Sequence, residues 1–327
     1  MTPSGDTWCV PGSQATRTAA AIDIGSNSVH LLAAYASRSV KPGIHAQLFP
    51  LADDSDLVGL GDAVDAGRVI PPESVGLVID SLHRLLALAE GAGASRVLLM
   101  GTEPLRRATN VHELQAAVSR STGHAVHVLS VRQEAELTFL GVTGGRTQHD
   151  ALAVVDIGGG STEVVLHVPG NELDVIPLAI GSARLTNAIV RSDPPTSAEL
   201  DQLMRSAREV VASAAWPEHA GERVRRAIFV GGTATNLARL GRLDRSHLNE
   251  DLHTLARMPA NEVVEHYAVR PRRARQMAAG VAIVSGLLDR FALGHAEVSE
   301  ASLRDGAIIA ALALGDRWLT SLDELIR

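Results

Sequence analysis

Short apolar runs alternate along the chain with glycine-broken turns and amphipathic stretches, the pattern of strands interleaved with helices. An apolar run ends at Asp23 and another begins after Ser28; a second pair flanks the stretch from Asp156 to Glu163. Each pair predicts two strands joined by a tight loop. Residues 38–60 alternate irregularly and predict further strands of the first sheet, with 58–62 rich in turn residues. Val75, Val78, Ile79, Leu82, Leu85 and Leu86 fall on one stripe. That predicts a helix over 75–88, opened by Pro71 and stopped at Gly91 and Gly93. Residues 97–100 and 126–129 read as buried strands. Ser130 and Gln133 have capping-box spacing and predict a helix over 134–142. Further on, 182–184 leads into a helix, 198–215 is a long amphipathic helix and 227–230 a strand. From 251 the pattern is helical except for a short strand near 296–298, and an Ala/Leu-rich helix closes the chain.

The two loops share more than their glycines. Asp23, Gly25 and Ser28 align without gaps with Asp156, Gly158 and Ser161, which predicts two similar halves, each opening with a β-hairpin loop. In the loops Gly25–Ser26–Asn27–Ser28 and Gly158–Gly159–Gly160–Ser161–Thr162 the glycines leave amide groups unshielded, so a phosphate can rest against the backbone. Asp156 and Glu163 beside such a cradle repel phosphate unless a divalent cation lies between them, and Mg²⁺ is the usual choice. Asp23 occupies the matching place in the first copy. In outline this is a phosphate–metal site.

Other candidates are less specific. Thr102 and Glu103 precede a predicted helix whose N-terminus favours an anion; Arg106 and Arg107 lie one turn in, either as surface residues or, for Arg106, as a phosphate ligand. Glu134 sits in the first turn of its helix, where the helix dipole alone accounts for an acid, but it also precedes the Asp156 hairpin and can face it. The turn at 231–236, with Gly232 and Thr233, is either a plain strand-to-helix turn or a third anion site. The arginine cluster at 270–275 reads as a solvated face.

Composition narrows the class. At 327 residues the chain suits two domains of ordinary size. With 46% hydrophobic and 20% charged residues it reads as globular, and no apolar run approaches the ~20 residues of a membrane span. A net charge of −7 argues against broad nucleic-acid binding. Residues 1–17 read as a polar tail rather than a signal peptide, and the sole cysteine, Cys9, lies in it, so a cytoplasmic location is expected. Lys41 is the only lysine, leaving 29 of 30 basic residues as arginine; a polyanion site here must be arginine-built.

Taken together, residues 21–30, 101–108, 133–135, 156–163, 231–233 and 302–306 resemble the exopolyphosphatase/guanosine-pentaphosphate phosphatase (Ppx/GppA) family, in its order and at its spacing. The resemblance implies the α/β, two-domain actin/hexokinase/Hsp70-like fold, a duplicated ribonuclease H-like plan with an interdomain cleft. It implies a first domain over 18–133 joined by the closing helix at about 308–327, and a second over 134–307. It further implies a Mg²⁺- or Mn²⁺-dependent hydrolase that removes the terminal phosphate of inorganic polyphosphate or, as the alternative, the 5′ γ-phosphate of pppGpp, and a homodimer. By position, Glu134 matches the general base, and Asp156 and Glu163 the acids that organise metal and water. The loops at 25–28, 158–162 and 231–233, with Arg106, match the phosphate binders. Glu136 stands where many members carry arginine. The sequence ends at Arg327 without the HD-type helical extension of many members, which leads to an expected preference for shorter phosphate chains.

Overall fold

The computed structural model describes residues 18–36, 45–218 and 224–326; the polar tail with Cys9 lies outside them. Among the described residues, ten strands form two five-stranded sheets. In the first, β1 (Thr18–Ile24), β2 (Ser28–Ala36), β3 (Leu48–Leu57), β4 (Arg96–Gly101) and β5 (Val126–Val128) take the order β3-β2-β1-β4-β5. In the second, β6 (Leu152–Ile157), β7 (Thr162–His167), β8 (Asp174–Leu178), β9 (Arg226–Val230) and β10 (Glu297–Val298) take the order β10-β9-β6-β7-β8. Read from the other edge, this is the same order. In both, the first three strands are antiparallel and the last two run parallel to the first. The repeated loop motif therefore marks a duplicated sheet, and the fold is the two-halved actin/hexokinase/Hsp70-like one.

The central strands β1 and β6 are near-continuous apolar runs because both faces are covered. Against one face of the first sheet lies the Pro72–Gly91 helix, whose Val78, Leu82 and Leu85 are fully buried with Ile22, Ile24 and Leu31. The other face packs on the Leu303–Leu314 helix through Ala307, Ile308 and Ile309. The second sheet buries Val155, Ile157 and Phe229 against the Pro271–Phe291 and Ser197–Ser213 helices.

One helix serves both halves. Val131–Thr143 places Leu137 and Leu140 in the first sheet's core and Ala135 and Phe139 against β6 and β7. It crosses the Leu303–Leu314 helix at a pair of glycines. A Cβ on Gly306 would lie 1.8 Å from the Leu137 carbonyl oxygen, and one on Gly141 2.2 Å from that of Ser302. No side chain fits there, so the backbones themselves set the spacing of the two helices.

Several boundaries depart from the sequence reading. The turn-rich 58–62 contains the start of the Leu60–Gly67 helix. The helix expected from 134 starts at Val131, directly after the Ser130 cap, and the helical C-terminal region begins at Arg245 rather than 251. The closing helix begins at Leu303 rather than 308. In each case a cap or a neighbouring core settles the end, and local periodicity is weakest there.

Candidate active site

Asp23 and Asp156 each stand one residue before the end of the central strand of their sheet, and their loops are built alike. The Gly25 amide donates to the Ser28 carbonyl at 3.0 Å, and the Gly158 amide donates to the Ser161 carbonyl at 3.0 Å. Across each hairpin the aspartate has a fixed partner: Asp23 is opposite His30, and Asp156 is opposite Glu163. Strand alternation then turns all four side chains toward one side of their sheet, and they line a single cavity of about 410 Å³.

That cavity gathers most of the residues singled out from the sequence. Asp23, Gly25, Ser26, Asn27 and Ser28 line it from the first half; Asp156, Gly158, Gly159, Gly160, Ser161, Glu163 and Gly232 line it from the second. Glu134 joins them from the first turn of the bridging helix, so its place is not explained by the helix dipole alone. The Gly231 φ of 83° tucks the start of the Gly231–Leu237 helix under Asp156; a Cβ there would lie 2.3 Å from Asp156 Oδ1.

Three expected ligands stand elsewhere. Thr162 is fully buried on β7 and donates to the Ile180 carbonyl at 2.8 Å. The Thr233 hydroxyl is buried against Ser182 Oγ at 2.9 Å. Strand alternation and the first helical turn point these two side chains inward, which the motif spacing alone does not reveal. Arg106 is absent from the cavity wall as well: it donates to the Leu129 carbonyl at 3.0 Å and to Glu134, with Glu163 4.0 Å away. It braces the acids from behind. Glu103 is likewise tied up, accepting from Ser26 at 3.2 Å, Arg107 at 2.9 Å and Arg184 at 2.7 Å.

The structure adds residues to which the sequence motifs assigned no role in the site. Arg273, from the cluster read as a solvated face, lines the cavity beside Gly232, while Arg272 pairs with Asp62 of the first half. Arg239 and Arg304 line the cavity too. At one side His30 meets Asp53 at 2.6 Å. Helix-start position was a usable signal for Arg273 and Arg304, since both sit in a first turn whose N-terminus opens on the cleft.

Four carboxyl groups converge away from water, and their ionisation shows the strain. Burial, reinforced by Glu134, lifts Asp23 to about 7, and burial with Glu134 lifts Asp156 to about 7 as well; Arg304 opposes both shifts. Burial and then Glu134 and Asp156 raise Glu163 well above the usual range. Burial also raises Glu134, against the pull of Arg106. Asp23 Oδ1 is buried without a hydrogen-bond partner, as is Arg304 Nη1.

These features suit a divalent cation of the Mg²⁺ type. Among the described residues no group of three His, Cys, Asp or Glu side chains forms a ready-made cage. Mg²⁺ does not require one: it keeps several waters and takes one or two carboxylates plus phosphate oxygens. The unpartnered buried Oδ1 of Asp23, in the same cavity as Asp156, fits a donor set of that kind.

Similarity to known proteins agrees with this geometry. The profile of the Ppx/GppA phosphatase family matches residues 38–314. Exopolyphosphatase 2 of Mycobacterium tuberculosis is 29% identical over 319 residues, spanning 89% of this chain and 97% of its own. Exopolyphosphatase 1 of the same organism is 26% identical over 310 residues, spanning 89% and 87%. The crystal structure of the Aquifex aeolicus Ppx/GppA family member superposes with a TM-score of 0.76 at 27% identity, covering 92% of this chain and 99% of that one. Duplicated sheets, paired loops and the matched profile lead to one conclusion: this chain belongs to the Ppx/GppA phosphatase family.

Proposed function

We propose that the protein is a metal-dependent exopolyphosphatase that hydrolyses the terminal phosphoanhydride bond of inorganic polyphosphate, with Glu134 as the base. The observation that carries this reading is the convergence of Glu134, Asp23, Asp156 and Glu163 on one cavity walled by the Gly25–Ser28 and Gly158–Ser161 loops. The family and the names of its exopolyphosphatase relatives support the substrate class.

The chemistry follows from charge. A polyphosphate end is a poor electrophile because its oxygens are negative, so catalysis needs neutralisation and an oriented water more than a covalent nucleophile. The Gly25 and Gly158 amides close the two hairpins, and loop amides at Ser26–Ser28 and Gly159–Ser161 bind the terminal oxygens and fix the phosphorus. Asp23 and Asp156, with Glu163 opposite Asp156 across the hairpin, would hold Mg²⁺, which would supply charge neutralisation of the phosphate and lower the pKa of bound water. Glu134 takes a proton from the attacking water as its oxygen bonds to phosphorus. The bridging P–O bond breaks, and its electron pair leaves on the shortened chain. The raised Glu134 carboxyl accepts that proton more readily than an ordinary surface glutamate. Arg106 fixes the direction of the carboxylate, so orientation is set before substrate arrives.

The reading is tested by orthophosphate release from tripolyphosphate and long-chain polyphosphate with added Mg²⁺, against Glu134→Gln. Release that depends on Glu134 supports it; release from neither polymer overturns it.

A further inference from the structure

We propose that Arg304 holds the terminal phosphoryl group during the reaction, its Nη1 donating to a non-bridging oxygen of the phosphorus under attack. The inference rests on the polyphosphate-hydrolase reading and assigns a substrate contact to a residue of that site.

Arg304 is a buried donor without an acceptor. Arg304 lines the cleft, and its Nη1 is buried with no hydrogen-bond partner. A charged donor in that position costs free energy unless something arrives to accept from it. The unpartnered Asp23 Oδ1 lines the same cavity. Two orphans of opposite character in one cavity match a ligand that brings both a cation and an anionic oxygen, as a metal-bound phosphate does. Asp23 answers the cation and Arg304 the oxygen.

The backbone around Arg304 is built to hold it still. Ser302 caps the helix in a reciprocal box with Asp305 and also accepts from the Arg304 Nε at 3.2 Å. The Gly141–Gly306 crossing locks this helix start against the helix that begins three residues before Glu134. The base and the arginine therefore sit on two helices in backbone-to-backbone contact, a rigid arrangement suited to gripping phosphorus while water is deprotonated. Arg304 is the counterpart of Arg106 on the substrate side: one orients the base, the other the electrophile. Arg304 gives up no proton in the step; it neutralises charge that grows on the phosphoryl oxygens.

The competing role for Arg304 is that of a counter-charge for Asp23 and Asp156 alone. Lysine would then serve as well, whereas a phosphate clamp needs the planar fork. The experiment compares the parent, Arg304→Ala and Arg304→Lys for tripolyphosphate hydrolysis, for orthovanadate binding by calorimetry and for melting temperature. Arg304→Ala is expected to lose about 10²–10³-fold in kcat/KM, with partial recovery by added guanidinium and none by sodium. Its orthovanadate affinity should fall about tenfold or more, and Arg304→Lys should remain impaired in both. Full activity in Arg304→Lys, or unchanged orthovanadate affinity in Arg304→Ala, overturns the proposal. Should the alanine variant not fold, the lysine variant decides alone by the same two readouts. A parent that releases no phosphate refutes the polyphosphate reading instead, and orthovanadate binding still judges Arg304.

Discussion

Arg106 Nη1 donates to the Leu129 carbonyl at 3.0 Å and, from the same nitrogen, to Glu134 Oε2. The arginine that spacing suggested as a phosphate ligand is tied to Glu134, the proposed base, and does not line the cavity. It lies behind the carboxylate, where its charge opposes the effect of burial on Glu134.

Removing that charge has a signed consequence. In Arg106→Gln, burial acts on Glu134 without its main opposing charge, so the carboxyl rises further. A base works only when deprotonated, so the acid limb of the kcat/KM profile should move to higher pH. A pH–rate profile checks this; an unmoved acid limb with lowered kcat would assign Arg106 a different role.

The metal-free protein should lose stability as pH rises. Asp23 and Asp156 titrate at about 7 in the fold against an ordinary value of 3.8. Between those values the native state binds more protons than the unfolded chain, so stability is full below about pH 4 for these groups and is lost as pH rises through 7. Melting temperature in chelator should therefore fall from pH 5 to pH 8 on account of this pair. Mg²⁺ should restore more at pH 8 than at pH 5. Equal stabilisation at both would remove these carboxylates from the cation site.

Thr162 separates a structural hydroxyl from a phosphate ligand. Thr162→Val deletes the donor to the Ile180 carbonyl and should cost about 1–3 kcal/mol in chemical denaturation. KM for tripolyphosphate should stay near that of the parent, since the hydroxyl does not reach the cavity.

The glycine crossing gives a prediction about folding. Gly306→Ala forces a methyl group to within 1.8 Å of the Leu137 carbonyl oxygen. The two helices must part, at a cost of about 1–3 kcal/mol or more. A melting temperature equal to the parent's would show that the crossing yields more readily than its geometry implies.

The fold was legible because its signal is repeated. Asp23 with Ser28 and Asp156 with Ser161 mark equivalent hairpins in sheets of the same strand order, and the apolar runs of β1 and β6 announce central strands. The acids were legible for a related reason: a carboxylate beside a phosphate loop repels the ligand unless a cation joins them, so its presence points to a metal. Side-chain direction was not legible. Thr162 and Ser161 are neighbours in one loop, but strand pleat turns the first inward and leaves the second on the cavity. Arg273 and Arg272 likewise diverge by one helical step, to the cleft and to Asp62. Arg304 and Asp23 are far apart in sequence, so their shared cavity emerges only once both sheets are in place.

The most direct measurement is orthophosphate release by the purified protein with Mg²⁺, comparing tripolyphosphate, long-chain polyphosphate, pppGpp and ATP, with Glu134→Gln in parallel. Polyphosphate should be the preferred substrate, and Glu134→Gln should retain tripolyphosphate binding while losing about 10²–10⁴-fold in kcat. Release from pppGpp with none from polyphosphate, or polyphosphate hydrolysis unchanged in Glu134→Gln, would contradict the account.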